Sequence, residues 1–237
     1  MSKKLKKLIL KIVTIITLTL SIIPTITYAK AGDTPNKTII LDRCHMDTYN
    51  DVGASYNGYD ERSIANDITN QVGERLSQKG YNVVYTRSMD KPISLQARKQ
   101  LCYNTEYDYY ISIHCNSSSS GQGTGTEGFY NKGSKQLTEN IIKSISENLG
   151  LTYRRVEQSP YYNRSIEDST IIELGFINNE EDLQKLLKEQ DTYVNIIVDS
   201  IEQQYNNQTE NQSREKVHMG DGTYIYRDCS MRIKNNN

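Results

Sequence analysis

The sequence has no tryptophan and only two phenylalanines, three histidines and four cysteines. Four scattered cysteines are too few for a fold held together by disulfides, and no C-x-x-C pair of a zinc knuckle is present; they are Cys44, Cys102, Cys115 and Cys229. The 18 tyrosines take over much of the core role that phenylalanine has elsewhere. The 237 residues, 36% apolar and 24% charged, are typical of one globular domain with extensions.

A long apolar run lies near the N-terminus. Four lysines between Lys3 and Lys7 precede it, Lys11 alone interrupts it before Ile23, and small residues follow around Ala29. This pattern predicts a secretory signal peptide over residues 1–31, and its uninterrupted apolar part is short for a membrane span. An uncleaved N-terminal anchor is the alternative. Both interpretations place the protein outside the cytoplasm, either secreted or anchored to the membrane.

Positive charge is scarce beyond this segment. Residues 1–29 contain five lysines and no acidic residue, which leaves 23 basic and 29 acidic residues and a net charge of −6 for the rest of the chain. No stripe of lysine and arginine is present. We therefore do not expect nucleic acid as a partner. A nucleotide cofactor is not expected either.

Short β-branched runs alternate with helical periodicities over the central part of the chain. Strands are predicted at 38–41, 81–86, 109–113, 128–130 and 170–174, and helices at 60–80, 95–104, 137–150, 179–188 and 191–205. This alternation predicts an α/β fold, a single domain with a twisted, mostly parallel sheet and helices on both faces. We assign residues 32–205 to this domain and 206–237 to a polar linker and short tail.

Two of the three histidines share a structural context. His45 follows the first predicted strand and His114 follows the third. Glu173 lies near the end of the last predicted strand, 170–174. Ligands bind at the carboxyl ends of strands in open α/β sheets, so these side chains should meet at one edge. Glu61 falls in the first turn of a helix, where the dipole favours an ionised carboxylate. Two imidazoles and a carboxylate form the ligand set of a catalytic zinc; hydrogen-bonded core histidines are the competing interpretation.

Several short motifs follow one another over residues 38–205. The most distinctive are Ile-Ile-Leu-Asp…His ending at His45, Ile-Ser-Ile-His-Cys-Asn ending at Asn116, and Ile-Ile-Glu-Leu-Gly-Phe-Ile-Asn-Asn ending at Asn179. The others are Gly53-Ala54, Gly58…Glu61, Gly80…Asp90 and Arg98…Asn104. In this order and spacing they resemble the zinc-dependent N-acetylmuramoyl-L-alanine amidases of the cell-wall hydrolase family Amidase_3.

The resemblance implies a role for each matching residue. In that family the positions of His45, Glu61 and His114 bind one zinc ion, and the position of Glu173 is the catalytic acid and base. The substrate would be peptidoglycan, cut between N-acetylmuramic acid and the L-alanine of the stem peptide. Asn116 is a candidate for orienting a ligand or the substrate, with a simple turn residue as the alternative. His218, in the polar tail, is expected to have no role.

Two other functions are consistent with the same residues. One is a catalytically impaired peptidoglycan-binding protein of the same fold, and the other is a zinc peptidase that acts within the stem peptide. Some relatives carry a long inserted helix that blocks the zinc until a partner protein withdraws it. No such insertion is evident between His114 and Glu173. We therefore expect an enzyme that needs no activator protein.

One loop departs from the family pattern. The family has Asp-Pro-Gly-His-Gly-Gly where residues 42–47 of this chain are Asp-Arg-Cys-His-Met-Asp. Glycine permits backbone angles that other residues adopt only with strain, so we expect an altered loop around His45 and a changed zinc affinity or substrate access. Cys44 and Cys115 each adjoin a predicted histidine ligand. Thiolate ligation and a nearby disulfide are alternatives to small buried residues, which is the interpretation that we favour.

Overall fold

A computed structural model describes residues 37–214, 216–218 and 224–226. The predicted signal peptide or anchor lies outside the described residues. The strands are Thr38–Arg43 (β1), Ser55–Tyr56 (β2), Tyr59–Asp60 (β3), Asn82–Tyr85 (β4), Tyr109–Asn116 (β5), Thr126–Asn131 (β6), Tyr153–Gln158 (β7), Ser169–Phe176 (β8), Lys216–His218 (β9) and Tyr224–Tyr226 (β10). The helices are Glu61–Gln78 (α1), Leu95–Asn104 (α2), Lys135–Leu149 (α3), Glu180–Lys188 (α4) and Gln190–Arg214 (α5).

Six of the strands form one mixed sheet in the order β4-β1-β5-β8-β6-β7. The first four run parallel to one another, β6 is antiparallel to β8, and β7 is parallel to β6. The mostly parallel α/β sheet predicted from the sequence is therefore confirmed. The pairs β2–β3 and β9–β10 form two small antiparallel hairpins.

The two faces of the sheet bury different amounts of apolar surface. Ile39 and Leu41 of β1 belong to the larger core, whereas Ile40 between them belongs to a smaller cluster. This alternation follows from the two-residue period of a strand. Helices α1, α3, α4 and α5 supply the larger core, while α2 and a 3₁₀ turn at Tyr162–Ser165 cover the other face. Helices lie on both faces as expected, but unequally.

Helix ends agree with the capping residues in the sequence. The carboxylate of Asp60 accepts a hydrogen bond from the amide of Ser63 at 2.8 Å and so caps α1. Gly150 adopts φ 61° after α3, a left-handed angle that glycine enters without steric cost. The cap at Asp60 fixes where α1 begins and thus places Glu61 at its first position.

Three features differ from the sequence prediction. Helix α5 continues to Arg214 rather than ending at Tyr205, because residues 206–214 contain no glycine or proline to end it. The segment was not predicted as helix because it has no apolar periodicity. Strand β7 and the β2–β3 hairpin were not predicted. In β7 only Val156 is even partly buried, so no alternation of apolar and polar residues marks this strand. Within the described residues, no helix has the length and apolar character needed to cross a bilayer.

Candidate metal and catalytic site

Three of the predicted site residues converge on one point. Glu61 Oε1 lies 2.9 Å from His45 Nε2 and 2.9 Å from His114 Nδ1. The centroids of the two imidazole rings are 5.2 Å apart. His45 follows β1, Glu61 opens α1 and His114 lies within β5, so three separate elements supply the cluster. The structure therefore brings together the two histidines and the glutamate that the sequence predicted as ligands.

Each of these side chains is held by a further polar group. Asp51 Oδ1 is 3.0 Å from His45 Nδ1, and Ser112 Oγ is 3.1 Å from His114 Nε2. Glu61 Oε2 accepts a hydrogen bond from the amide of Ala54 at 2.9 Å. Such partners orient the imidazoles of metal sites and raise their basicity.

The sequence analysis missed both Asp51 and Ser112. Ser112 lies two residues before His114 on the same strand, so the two-residue period would have placed both side chains on one face. Asp51 gave no comparable signal, because it lies in an irregular segment between β1 and β2.

The electrostatics of the cluster favour an ionised carboxylate. Burial opposes the charge on Glu61, but its contacts with His114 and His45 outweigh burial and hold the pKa of Glu61 well below its usual range. Burial likewise opposes a charged His114, yet its hydrogen bond to Glu61 and the charge of Glu173 raise the pKa of His114 to about 9. His45 Nε2 is buried against Glu61 Oε1, 2.9 Å away. Two ring nitrogens that converge on one ionised carboxylate are well suited to hold a cation between them.

Glu173 lies next to this cluster. It sits in β8 opposite His114 of β5 in the sheet register. Its Oε2 atom is buried and has no hydrogen-bond partner among the described residues. Burial, with repulsion from Glu61 and Glu127, raises the pKa of Glu173 to about 7, although His114 acts in the opposite direction. A carboxyl group poised near neutral pH can both accept and deliver a proton.

The side chain of Asn116 contacts a second acidic residue rather than a candidate ligand. Its Nδ2 donates to Glu127 Oε1 at 2.6 Å, and Glu127 lies opposite Glu173 in the antiparallel register of β6 and β8. The Nε atoms of Arg154 and Arg155 are each 3.0 Å from Glu127 Oε2. The sequence analysis missed Glu127 and both arginines, because they lie on strands β6 and β7 without a recognisable motif. His218 lies in β9, outside the elements that carry the site.

The loop that carries His45 is strained at Met46, one of the three positions where the family pattern has glycine, but not at Cys44 or Asp47. His45 and Met46 have φ angles of 56° and 64°, in the left-handed region that favours glycine. Two arginines stabilise this path. Arg87 and Arg98 both donate hydrogen bonds to the backbone carbonyls of residues 43–45. The altered loop is therefore held in a defined conformation and still presents His45 to Glu61.

The buried carboxylate of Asp42 connects the loop around His45 to neighbouring elements through hydrogen bonds. Its carboxylate accepts hydrogen bonds from Arg98 Nη1 at 2.6 Å, Thr86 Oγ1 at 2.6 Å, Ser112 Oγ at 2.7 Å and the Tyr162 hydroxyl at 2.7 Å. Asp42 and Arg98 are each only 1% exposed. Because Ser112 also contacts His114, one buried network links the loop of the first histidine to the strand of the second.

The cysteines beside the two histidines are free thiols. Cys44 and Cys115 are both buried, which agrees with the interpretation favoured from the sequence, and Cys102 is a third free, buried thiol. Burial raises the pKa of the Cys44 and Cys115 thiols well above the usual value. The Cys44 sulfur nevertheless belongs to the same cluster as His45, Glu61 and His114. One potential ligand atom from each of these four residues lies within 4.8 Å of the others.

Comparison with known proteins agrees with the family resemblance found in the sequence. The family model for N-acetylmuramoyl-L-alanine amidase matches residues 39–203. N-acetylmuramoyl-L-alanine amidase LytC of Bacillus subtilis (strain 168) is 34% identical over 157 residues, which cover 63% of this chain and 31% of LytC. The uncharacterized protein YqiI of the same strain is 32% identical over 177 residues, which cover 71% of this chain and 85% of YqiI.

The solved structures show the same relationship. The CwlD amidase from Clostridioides difficile, in complex with the GerS lipoprotein, superimposes with a TM-score of 0.66 at 26% identity. The match covers 73% of this chain and all of that one. The chain thus spans less than a third of LytC but the whole of a solved amidase chain. Because the family model covers the sheet, the helices around it and every candidate site residue, the chain belongs to the N-acetylmuramoyl-L-alanine amidase family, Amidase_3.

Proposed function

We propose that the protein hydrolyses the amide bond between N-acetylmuramic acid and the L-alanine of the stem peptide in peptidoglycan, with one zinc ion as cofactor. The observation that supports this most directly is the position of Glu61 Oε1, 2.9 Å from one nitrogen of each of His45 and His114, beside the buried carboxyl of Glu173. Because peptidoglycan lies outside the cytoplasm, the protein would act there, as the predicted signal peptide requires.

The donor set suits zinc. Two imidazoles and one ionised carboxylate are the ligands of open catalytic zinc sites, and one nitrogen of each imidazole lies 2.9 Å from Glu61 Oε1. We assign His45, Glu61 and His114 as the ligands, oriented by Asp51 and Ser112. The chemistry supplied by such an ion is polarisation of the amide carbonyl and a lowered pKa of water.

Glu173 would move the protons of the reaction. Its carboxylate takes a proton from the attacking water, and the resulting carboxylic acid delivers it to the departing amine nitrogen of L-alanine. The raised pKa of Glu173, about 7, suits both transfers. Asn116 would act indirectly, because it fixes Glu127, whose charge is compensated by Arg154 and Arg155.

Helix α3 bears on the prediction that no activator protein is needed. It is the α-helix between His114 and Glu173 in the described structure, and its residues Leu137, Ile141 and Ile145 are buried in the larger core. Helix α3 therefore packs within the fold and does not lie across the candidate site. CwlD was solved with a lipoprotein, so the decisive test is activity of this protein alone.

Digestion of purified peptidoglycan, followed by mass spectrometry, tests the proposal. We expect the protein without residues 1–31 to release intact stem peptides with a free L-alanine amine, with no added partner. A chelator should stop the release, and zinc should restore it. Cleavage inside the stem peptide would instead support the zinc peptidase, and binding without products would support the impaired binding protein.

Substitution of Gly53 tests the ligand geometry. Gly53 has φ 71°, and a Cβ there would lie 2.5 Å from both Glu61 Oε2 and His45 Nε2. We expect Gly53→Ala to lower zinc affinity by about tenfold or more, since disturbing the groups around ligands typically costs about 10–100-fold. Isothermal titration calorimetry measures the affinity.

Gly58→Ala provides the matched control. Gly58 has a similar φ of 82°, but a Cβ there meets no atom within 4 Å. Both variants therefore carry the backbone strain of alanine in a left-handed conformation, and only Gly53→Ala crowds the cluster. Equal zinc affinity in the two variants would contradict the assignment of His45 and Glu61 as ligands.

A further inference from the structure

We propose that Cys44 is a fourth protein ligand of the metal ion, so that the resting centre holds the ion through one sulfur, two nitrogens and one oxygen. The inference rests on the proposed metal centre and adds a ligand to it. The family pattern that the chain resembles has glycine at this position, so the added sulfur would distinguish this chain from that pattern.

The geometry points to Cys44 because its sulfur is already part of the cluster. One potential ligand atom from each of Cys44, His45, Glu61 and His114 lies within 4.8 Å of the other three. Zinc binds sulfur at about 2.3 Å and imidazole nitrogen at about 2.0–2.1 Å, so the ligand atoms of a tetrahedral site lie roughly 3.3–3.6 Å apart. The widest separation in the cluster, up to 4.8 Å, therefore has to shorten by roughly 1 Å. Side-chain rotation in the loop of residues 43–47 can supply this movement.

The surroundings of Cys44 also favour a ligand over a reactive surface thiol. Its side chain is 1% exposed, and its backbone carbonyl is fixed by Arg87 Nη2 at 2.8 Å. The sulfur is thus shielded from solvent, whereas the side chain of His45 is 23% exposed. A bound ion stabilises the deprotonated form of a coordinating thiol.

Cys115 does not share this position. It adjoins His114 and is equally buried, but its sulfur is not among the clustered ligand atoms. Cys115 packs in the larger core, as Cys44 does, but it meets the site through its backbone amide, which donates to Glu61 Oε1 at 3.2 Å, and not through its sulfur. Cys115 is therefore a matched control for Cys44, because both are free, buried thiols next to a candidate histidine ligand.

A fourth protein ligand changes what the centre can do. Four protein ligands are typical of closed structural zinc sites, whereas catalytic sites keep one position for water. Cys44 would hold the ion in a closed resting state and would have to withdraw before hydrolysis. A thiolate also shifts metal preference towards zinc and away from manganese or magnesium.

Spectroscopy of the metal-loaded protein tests this assignment without relying on activity. We expect the cobalt-substituted protein to show a sulfur-to-cobalt charge-transfer band in the near ultraviolet. The band should persist in Cys115→Ser and disappear in Cys44→Ser and Cys44→Ala. X-ray absorption of the zinc form should show one sulfur at about 2.3 Å. Zinc affinity should fall about tenfold or more in the Cys44 variants, as for other lost metal-site partners.

The outcomes separate this inference from the proposed function. Zinc bound only by nitrogen and oxygen, or a charge-transfer band that survives in both Cys44 variants, would overturn the role of Cys44 and leave the zinc amidase intact. A protein that binds neither zinc nor cobalt would overturn the metal centre itself. The wild-type absorption spectrum decides the question even where a Cys44 variant fails to fold.

Discussion

Glu173→Gln should lose hydrolysis of peptidoglycan by about 10²–10⁴-fold, the usual contribution of a general acid and base. Glutamine has nearly the same shape as glutamate but cannot take up the proton of the attacking water. Because Glu173 is not one of the assigned ligands, zinc content and thermal unfolding should not change. Release of stem peptides, zinc analysis by atomic spectroscopy and calorimetry measure the three quantities.

Glu157→Gln is the control for this substitution. Glu157 is an exposed glutamate in β7 of the same sheet that pairs with Arg155 at 3.3 Å, so its substitution removes a carboxylate without touching a candidate ligand or Glu173. Full activity of Glu173→Gln would contradict the proposed role of Glu173 as the catalytic acid and base. Loss of zinc in that variant would instead identify Glu173 as a ligand. Unchanged peptidoglycan binding with no hydrolysis in wild type and variant alike would support the impaired binding protein.

Arg98→Met should destabilise the protein by about 3–5 kcal/mol, the usual cost of removing one partner of a buried ion pair. Arg98 and Asp42 are each 1% exposed, and the variant would leave the Asp42 carboxylate without its cation. The loop around His45 would also lose hydrogen bonds to its carbonyls. Urea unfolding measures the stability, and Arg164→Met, at an exposed arginine, is the control.

The destabilisation caused by Arg98→Met should become smaller as the pH falls. Burial alone would raise the pKa of Asp42, but Arg98 and three hydroxyl donors outweigh it and hold that pKa well below its usual range. The stabilisation is therefore complete above the unfolded pKa of about 3.9 and is lost as the pH falls towards the folded value. In Arg98→Met the folded pKa of Asp42 should rise, so the stability difference between wild type and variant should shrink in acid. A difference that stays constant down to acidic pH would exclude Asp42 as its source.

Much of the site could be predicted from the sequence because its main residues lie at regular positions. His45 lies just beyond β1, His114 and Glu173 lie in the C-terminal halves of β5 and β8, and Glu61 follows a helix cap. The rule that functional groups gather at the carboxyl ends of parallel strands was enough to bring them together. The family motifs then supplied a role for each residue.

The features of the site that could not be predicted depend on contacts between segments that are far apart in the sequence. Arg87 and Arg98 hold the loop of residues 43–45 from more than 40 positions away, and no local pattern indicates such contacts. Glu127 and its arginines lie on β6 and β7, where polar residues give no clear periodicity. The altered loop could be predicted as strained, but its actual path and the position of the Cys44 sulfur required coordinates.

Strand β7 has a consequence for how the molecule behaves at high concentration. As the outermost strand beyond β6, it leaves one row of backbone donors and acceptors without a strand partner in the six-stranded sheet. Such an edge can recruit the sheet of a neighbouring molecule and start aggregation. Here the edge carries Arg154, Arg155 and Glu157, all largely exposed. Two copies brought edge to edge would have to desolvate these charges, so the strand that the sequence did not predict carries side chains that oppose edge-to-edge pairing of two molecules.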